Sequence, residues 1–117
     1  MILVDTSVWI DHLRKGNARL RSLLVANAVL THPFVVGELA CRTLQARAAI
    51  LEYLQELPAA VIADHREASS LLENERLQGR GIGWIDVHLL ASARLSGARL
   101  WTLDESLSAV AASLNLS

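Results

Sequence analysis

Short apolar runs alternate along this chain with longer segments in which apolar residues recur every three or four positions. Continuous apolar runs are typical of strands buried on both faces, and the longer period is typical of amphipathic helices. The pattern predicts strands over 2–4, 29–31, 60–62 and 99–103. It predicts helices over 7–14, 17–27, 33–42, 47–57, 66–77, 84–95 and 106–114. Strands separated by helices in this way predict a three-layer α/β fold around a parallel sheet.

Residues 1–117 are expected to form a single domain, because no repeat or linker interrupts a chain too short for two useful cores. An apolar content of 52% excludes a disordered chain. The most apolar stretch, Leu23–Leu30, is too short to span a membrane. The lone Cys41 excludes an internal disulfide, and its apolar helical neighbours predict a small buried side chain. Since no basic segment precedes the first apolar run, we expect no signal peptide and a cytoplasmic protein.

Four acidic residues are expected to meet at one edge of the sheet. Asp5 follows the first predicted strand, and Asp104 follows the last one. Asp86 lies in the first turn of the preceding helix, and that helix and the last strand each measure roughly 16 Å, so the chain returns to the same edge. Glu38 lies on the helix after the second strand, where side chains lean toward the helix N-terminus and therefore toward that edge.

Clustered carboxylates in a partly buried cleft need a positive charge between them. Oxygen ligands alone suit Mg²⁺, with Mn²⁺ as a substitute. A simpler interpretation stays open for single residues, since Asp5 and Asp86 are placed to cap helices and Asp104 to begin a turn. That interpretation leaves Glu38 unexplained. The four histidines lie in separate segments with no pair four residues apart, which argues against a zinc site.

The charges nearly balance, with eleven basic and twelve acidic side chains and a net charge of −1. Such a sum argues against a protein that binds nucleic acid by a basic surface alone. However, Glu38 is the one acidic residue between His12 and Leu51, a segment with six basic residues. Removing four cation-facing acids from the twelve leaves eight acids against eleven bases. The basic segment and this excess of basic residues together predict a basic rim beside an acidic cleft, which would suit a polyanion. Arg80, in the glycine-rich loop 79–83, is a candidate phosphate contact.

Each of the four acids lies in a short motif. The motifs are Val4-Asp5-Thr6-Ser7, Val36-Gly37-Glu38-Leu39, Gly83-Trp84-Ile85-Asp86-Val87-His88-Leu89-Leu90-Ala91 and Leu100-Trp101-Thr102-Leu103-Asp104. In order and spacing they resemble the motifs of PIN domains, and more narrowly those of VapC-type toxins of bacterial type II toxin–antitoxin systems. The resemblance extends from residue 1 to about residue 114.

The resemblance implies a Mg²⁺- or Mn²⁺-dependent endoribonuclease that hydrolyses structured RNA such as tRNA and leaves 5′-phosphate and 3′-hydroxyl ends. It also implies a homodimer, inhibition by a small VapB-like antitoxin, and a sheet with strand order 3-2-1-4-5. The positions matching the family's catalytic and metal-binding acids are Asp5, Glu38, Asp86 and Asp104. The positions matching its nearby hydroxyls, taken as substrate contacts, are Thr6, Ser7 and Thr102.

This chain departs from the family pattern at two places. Only residues 114–117 remain for a fifth strand, and Glu105 stands where relatives often carry a basic residue. Two other interpretations remain. A catalytically idle PIN-like module would bind proteins alone, but it has no use for four converging acids. A phosphatase using Asp5 as nucleophile would need a second aspartate where Ser7 stands and a better placed lysine than Lys15.

Overall fold

The computed structural model describes all residues from 1 to 117 and contains three strands and seven helices. In chain order the elements are β1 (Ile2–Val4), α1 (Thr6–Lys15), α2 (Ala18–Val25), β2 (Val29–Leu30), α3 (Pro33–Ala40), α4 (Arg47–Glu56), α5 (His65–Asn74), α6 (Trp84–Leu95), β3 (Arg99–Trp101) and α7 (Glu105–Ser113). The predicted bounds of β1 and α6 agree with the structure, and the other helices begin or end within a few residues of the prediction.

The sheet is parallel, with the order β2-β1-β3, and Ile2 of β1 lies opposite Val29 on one side and Arg99 on the other. The chain moves in one direction from β1 to β2 and on to a parallel bridge between Thr31 and Ala59, and then crosses back to β3. Right-handed connections therefore place α1 to α4, which precede the crossing, on one face of the sheet and α5 and α6 on the other. In agreement, α1 packs against α3, while α6 packs against α5, β1 and β3. The predicted α/β class with flanking helices is confirmed.

The strand predicted over 60–62 does not form, and that prediction is wrong. Its place beside β2 is held by a single parallel bridge between Thr31 and Ala59. Beyond the bridge, the backbone N–H of Val61 donates to Ser96 Oγ and that of Ala63 donates to Ser92 Oγ. Because the hydroxyls of Ser92 in α6 and of Ser96 just after it accept from N–H groups that a strand would offer to β2, the segment leaves the sheet after one bridge.

The other edge of the sheet also differs from the expected five-strand order. The structure has no fifth strand, and beside β3 the terminal segment makes one backbone hydrogen bond, from Leu100 N–H to the carbonyl of Leu116. The strand predicted over 99–103 ends at Trp101 because the following residues bond to side chains of the candidate site. The strand order β2-β1-β3 corresponds to the central 2-1-4 of the expected order.

One cluster of 24 buried apolar residues packs around the sheet and joins the helices on both faces. Leu3 and Val4 of β1 are fully buried, as are Leu89 and Leu90 of α6. Burial of this kind fixes the sheet in place, and with it the positions of the residues that follow each strand. None of the helices has the length and apolar character needed to cross a membrane.

Candidate active site

A cleft of about 560 Å³ opens at the carboxyl edge of the sheet. All four predicted acids line it, together with residues of α1 and of the chain around the end of α3. The lining residues are Asp5, Thr6, Ser7, Ile10, Glu38, Cys41, Arg42, Asp86 and Asp104. Ligands of open parallel sheets bind at this edge, where the strand order reverses. The structure therefore brings together the four carboxylates that the sequence predicted to converge.

The carboxylate of Asp5 is fixed by two hydroxyl groups. Ser7 Oγ donates to Asp5 Oδ2 at 2.8 Å, and Thr102 Oγ1 donates to the same oxygen at 2.7 Å. Asp5 occupies the residue before α1, yet its side chain makes no capping bond to that helix. The capping interpretation therefore fails for Asp5, whose carboxylate turns toward the cleft.

Glu38 of α3 lies at the same cleft and is held there by a hydrogen bond from α1. Thr6 Oγ1, in the first turn of α1, donates to Glu38 Oε1 at 2.8 Å. The backbone of Glu38 belongs to α3, which packs against α1. Although Glu38 is exposed, this hydrogen bond holds its carboxylate next to Thr6, and so close to Asp5.

Asp86 and Asp104 each use one oxygen to hold the backbone around them. The backbone N–H of Gly83 donates to Asp86 Oδ2 at 2.9 Å, ahead of α6. The backbone N–H of Leu107 donates to Asp104 Oδ1 at 2.8 Å, which caps α7. The capping interpretation is therefore correct for one oxygen of Asp86, and Asp104, expected to begin a turn, also uses one oxygen as a helix cap. In both residues the second oxygen is left unexplained.

In all four acids, one carboxylate oxygen has no hydrogen bond to the protein. These oxygens are Asp5 Oδ1, Glu38 Oε2, Asp86 Oδ1 and Asp104 Oδ2. No basic side chain forms an ion pair with any of the four residues, because the ion pairs of the chain are Lys15–Asp11 and Arg94–Glu75. Partial burial raises the pKa of Asp86, and the negative charges of Asp5 and Asp104 raise it further, against the lowering effect of the Gly83 N–H. The cleft thus concentrates negative charge that no ion pair to a basic side chain offsets.

The carboxylates do not form a closed, ready-made ion cage, since no three acidic, histidine or cysteine side chains are already grouped tightly enough to hold a metal. None of the histidines lines the cleft. His32 and His88 are buried, and the ring of His88 contacts those of Phe34 and Trp84. The donors that face the cleft are therefore carboxylate and hydroxyl oxygens, apart from the Arg42 guanidinium and the Cys41 thiol.

The remaining predicted residues occupy different places. Thr6 and Ser7 line the cleft, whereas Thr102 is buried behind Asp5 and donates to it. Arg80 is exposed on the glycine-rich loop and does not line the cleft. The hydroxyls therefore have a clear observed partner, which is a carboxylate in each case.

Cys41 and Arg42 also line the cleft. Arg42 is one of the six basic residues from which the sequence predicted a rim beside the cleft, whereas Cys41 was not expected there. The predicted burial of Cys41 is wrong, because α3 ends at Ala40 and the thiol that follows is exposed. Their spacing from Glu38 could have indicated that they lie near the cleft. Cys41 and Arg42 lie three and four residues after Glu38, which on a helix is the same face.

An α/β domain with carboxylates free of ion pairs at the carboxyl edge of a parallel sheet is compatible with the class of metal-dependent enzymes that act on phosphate esters. A comparison with protein families narrows the class, since the model of the PIN domain matches residues 2–113. The chain belongs to the PIN-domain family, which confirms the resemblance seen in its motifs.

Individual relatives agree with this assignment. The chain is 46% identical over 113 residues to Ribonuclease VapC32 of Mycobacterium tuberculosis, in strains CDC 1551 / Oshkosh and ATCC 25618 / H37Rv. The aligned region covers 96% of this chain and 91% of VapC32. The fold is similar to the crystal structure of VapC20 from Mycobacterium tuberculosis, a toxin that cleaves the sarcin–ricin loop. That match has a TM-score of 0.68 and 23% identity, and covers 94% of this chain and 95% of the other. The identity to VapC32 places the chain among the VapC ribonucleases.

Proposed function

We propose that this protein is the toxin of a type II toxin–antitoxin system and a metal-dependent endoribonuclease, with Asp5, Glu38, Asp86 and Asp104 as its catalytic and metal-binding residues. One observation carries the site assignment. All four residues line the cleft, each carboxylate has one oxygen without a hydrogen bond to the protein, and no basic side chain forms an ion pair with any of them. Such an excess of negative charge calls for an external cation.

The donor set fits Mg²⁺, with Mn²⁺ as a substitute, because hard oxygen donors suit both ions. Asp5 is the best restrained of the donors, since two hydroxyls hold its other oxygen. Asp104 follows β3, the neighbour of β1, so we assign these two carboxylates to direct contact with the ion. Glu38 and Asp86 complete the site, directly or through water.

When bound, the ion supplies positive charge that activates a water and neutralises the charge developing on the phosphodiester. The protein provides no nucleophile of its own. Thr6, Ser7 and Thr102 orient the carboxylates, and the first two also line the cleft, where they remain candidates for substrate contact. Arg80 stays a proposed phosphate contact from its exposed loop.

The substrate is a structured RNA, with tRNA as a candidate, and hydrolysis leaves a 5′-phosphate and a 3′-hydroxyl. The toxin acts on cytoplasmic RNA as a single PIN-like domain, in agreement with its one buried core cluster. It forms a homodimer and is held inactive by a VapB-like antitoxin. Exposed large apolar side chains support such interfaces, among them Val61 and Ile62, which are 53% and 57% exposed.

Cleavage and metal binding together test this proposal. Purified protein should cleave RNA with Mg²⁺ or Mn²⁺ and lose that activity in excess EDTA. Asp5→Asn and Asp104→Asn should reduce both Mn²⁺ affinity and cleavage, since each removes a charged donor. Glu73→Gln is the matched control, because Glu73 is exposed on α5 and lies outside the cleft. Cleavage in EDTA equal to that with metal would contradict the mechanism. Metal-independent antitoxin binding without any RNA cleavage would favour an idle PIN-like module.

A further inference from the structure

A second cavity, of about 220 Å³, adjoins the acidic cleft. Ile10 and Arg42 line both cavities, so the two form one groove along α1. The second cavity is also lined by Arg14, Thr43 and Gln45, and no acidic residue faces it. The groove therefore changes along its length from four carboxylates to two arginines.

Both arginines are free of protein partners. Neither forms an ion pair, and neither donates a side-chain hydrogen bond. Asp11 is the acid closest to Arg14 along α1, but its carboxylate already accepts from Asn17 at 3.1 Å and pairs with Lys15 at 3.4 Å. The pKa of Asp11 is lowered most by the Asn17 hydrogen bond and least by the charge of Arg14. A guanidinium without an ion pair in a groove is available to bind an anion.

Two other arginines between His12 and Leu51 are engaged elsewhere. Arg19 lies over the ring of Trp101, 4.2 Å from its centroid. Arg47 donates from Nε and Nη2 to the carbonyl of Ala40, at 3.1 and 2.7 Å. This fork ties the start of α4 to the end of α3 and so restrains the connection that carries Arg42. The basic half of the groove is therefore held in place before a ligand arrives.

We propose that Arg14 and Arg42 form a subsite for a backbone phosphate of the RNA strand, next to the phosphodiester that is cut at the four carboxylates. The inference rests on the proposed function, because it requires that a strand lies in the cleft. A neighbouring phosphate of that strand is repelled by the acids and attracted by two free guanidinium groups, which bind phosphate through paired N–H donors. Thr43 and Gln45 add neutral donors at the same wall.

Steady-state cleavage of a short RNA by Arg14→Gln and Arg42→Gln tests the subsite. Losing hydrogen bonds to a charged group should raise KM by about 10- to 100-fold, with a smaller change in kcat. The salt dependence of kcat/KM should become shallower by about 0.7 for each lost phosphate contact. Mn²⁺ affinity should not fall in either variant, because neither arginine is a donor to the ion. Arg42→Lys should recover the salt dependence, because it restores the charge.

Lys15→Gln is the matched control, because it removes the same charge from the residue after Arg14, and the side chain of Lys15 points to solvent. If the arginine variants behave like Lys15→Gln, the subsite is wrong while the proposed function stands. If they cleave RNA normally but bind the antitoxin more weakly, the arginines serve a protein partner and the subsite is again wrong. If the unaltered protein cleaves no RNA with either metal, the proposed function fails and the subsite fails with it.

Discussion

Thr102 Oγ1 donates a hydrogen bond of 2.7 Å to Asp5 Oδ2, joining residues that lie 97 positions apart in the chain. The two residues are buried and directly follow the neighbouring strands β3 and β1. The same hydroxyl oxygen accepts from the backbone N–H of Asp104 at 3.0 Å. One threonine thus links the carboxylate of Asp5 to the backbone of Asp104, the two residues assigned to direct metal contact.

Replacing this threonine by an isosteric apolar residue should weaken the metal site. Thr102→Val removes the donor to Asp5 and the acceptor for Asp104 N–H, and we expect Mn²⁺ affinity to fall by about 10- to 100-fold, with cleavage falling in parallel. Isothermal titration with Mn²⁺ measures the loss. Thr102→Ser keeps the hydroxyl and should retain most of the affinity. Equal affinities for the valine variant and the unaltered protein would show that the hydroxyl does not position the site.

The sequence pattern was sufficient for the elements whose backbone bonds stay within the sheet and helices. It failed where a distant side chain takes over the backbone. Ser92 and Ser96 divert the segment predicted as a strand over 60–62. The strand predicted over 99–103 ends early because Leu103 N–H donates to Ser7 Oγ. Hydrophobic periodicity does not reveal such partners, because they are contributed by residues remote in the chain.

The positions of the four acids at the candidate site could be predicted from the sequence, but their hydrogen-bond partners could not. Strand ends and helix polarity were enough to bring Asp5, Glu38, Asp86 and Asp104 to one edge. The hydrogen bonds from the hydroxyls to these acids could not be predicted, because they depend on the directions of side chains. The arginine-lined part of the groove could not be predicted either, because it depends on the residue at which α3 ends. Because that helix ends at Ala40, two residues before the predicted end, Cys41 was expected in the core and is exposed in the cleft.

Cys41 should therefore react with thiol reagents in the folded protein. Its thiol is exposed, so a maleimide should label it at a rate close to that of the unfolded chain. A bulky maleimide should also inhibit RNA cleavage, because the cysteine lines the cleft three residues from Glu38. Mass spectrometry follows the labelling, and Cys41→Ser should abolish both labelling and inhibition. Strong protection of the native thiol would mean that Cys41 is packed, as the sequence had suggested.

A side chain at Gly81 should destabilise the fold. Its φ is +80°, and an added Cβ would lie 2.9 Å from Ser106 Oγ in the first turn of α7. Gly81→Ala should lower the free energy of unfolding by about 2–3 kcal/mol, from left-handed strain and overpacking together. Gly79→Ala is the matched control, since Gly79 has φ +73° but nothing near the added Cβ, and it should cost about 1 kcal/mol. Urea unfolding compares them, and equal losses would rule out the contact with Ser106.

His32 links three parts of the fold through its two ring nitrogens. Nδ1 accepts from the backbone N–H of Phe34 at 3.0 Å and thereby caps α3. The ring proton must therefore lie on Nε2, which donates to Ser92 Oγ at 3.1 Å. The same Ser92 oxygen accepts from the backbone N–H of Ala63. This buried network requires a neutral imidazole, because a proton on Nδ1 would face the Phe34 N–H.

The free energy of unfolding should therefore decrease at low pH, because His32 is harder to protonate in the folded protein than in the unfolded chain. Burial, and then the charge of nearby His88, lower the pKa of His32 to about 4 from 6.5. The unfolded chain thus takes up this proton first, so the stabilisation is complete above pH 6.5 and is lost as pH falls toward 4. Between pH 7.5 and pH 5 the loss should be about 2 kcal/mol. His32→Asn keeps a capping acceptor but does not titrate. Its unfolding free energy, measured in urea, should therefore fall less over this range, and an identical fall in both proteins would assign the acid sensitivity to other groups.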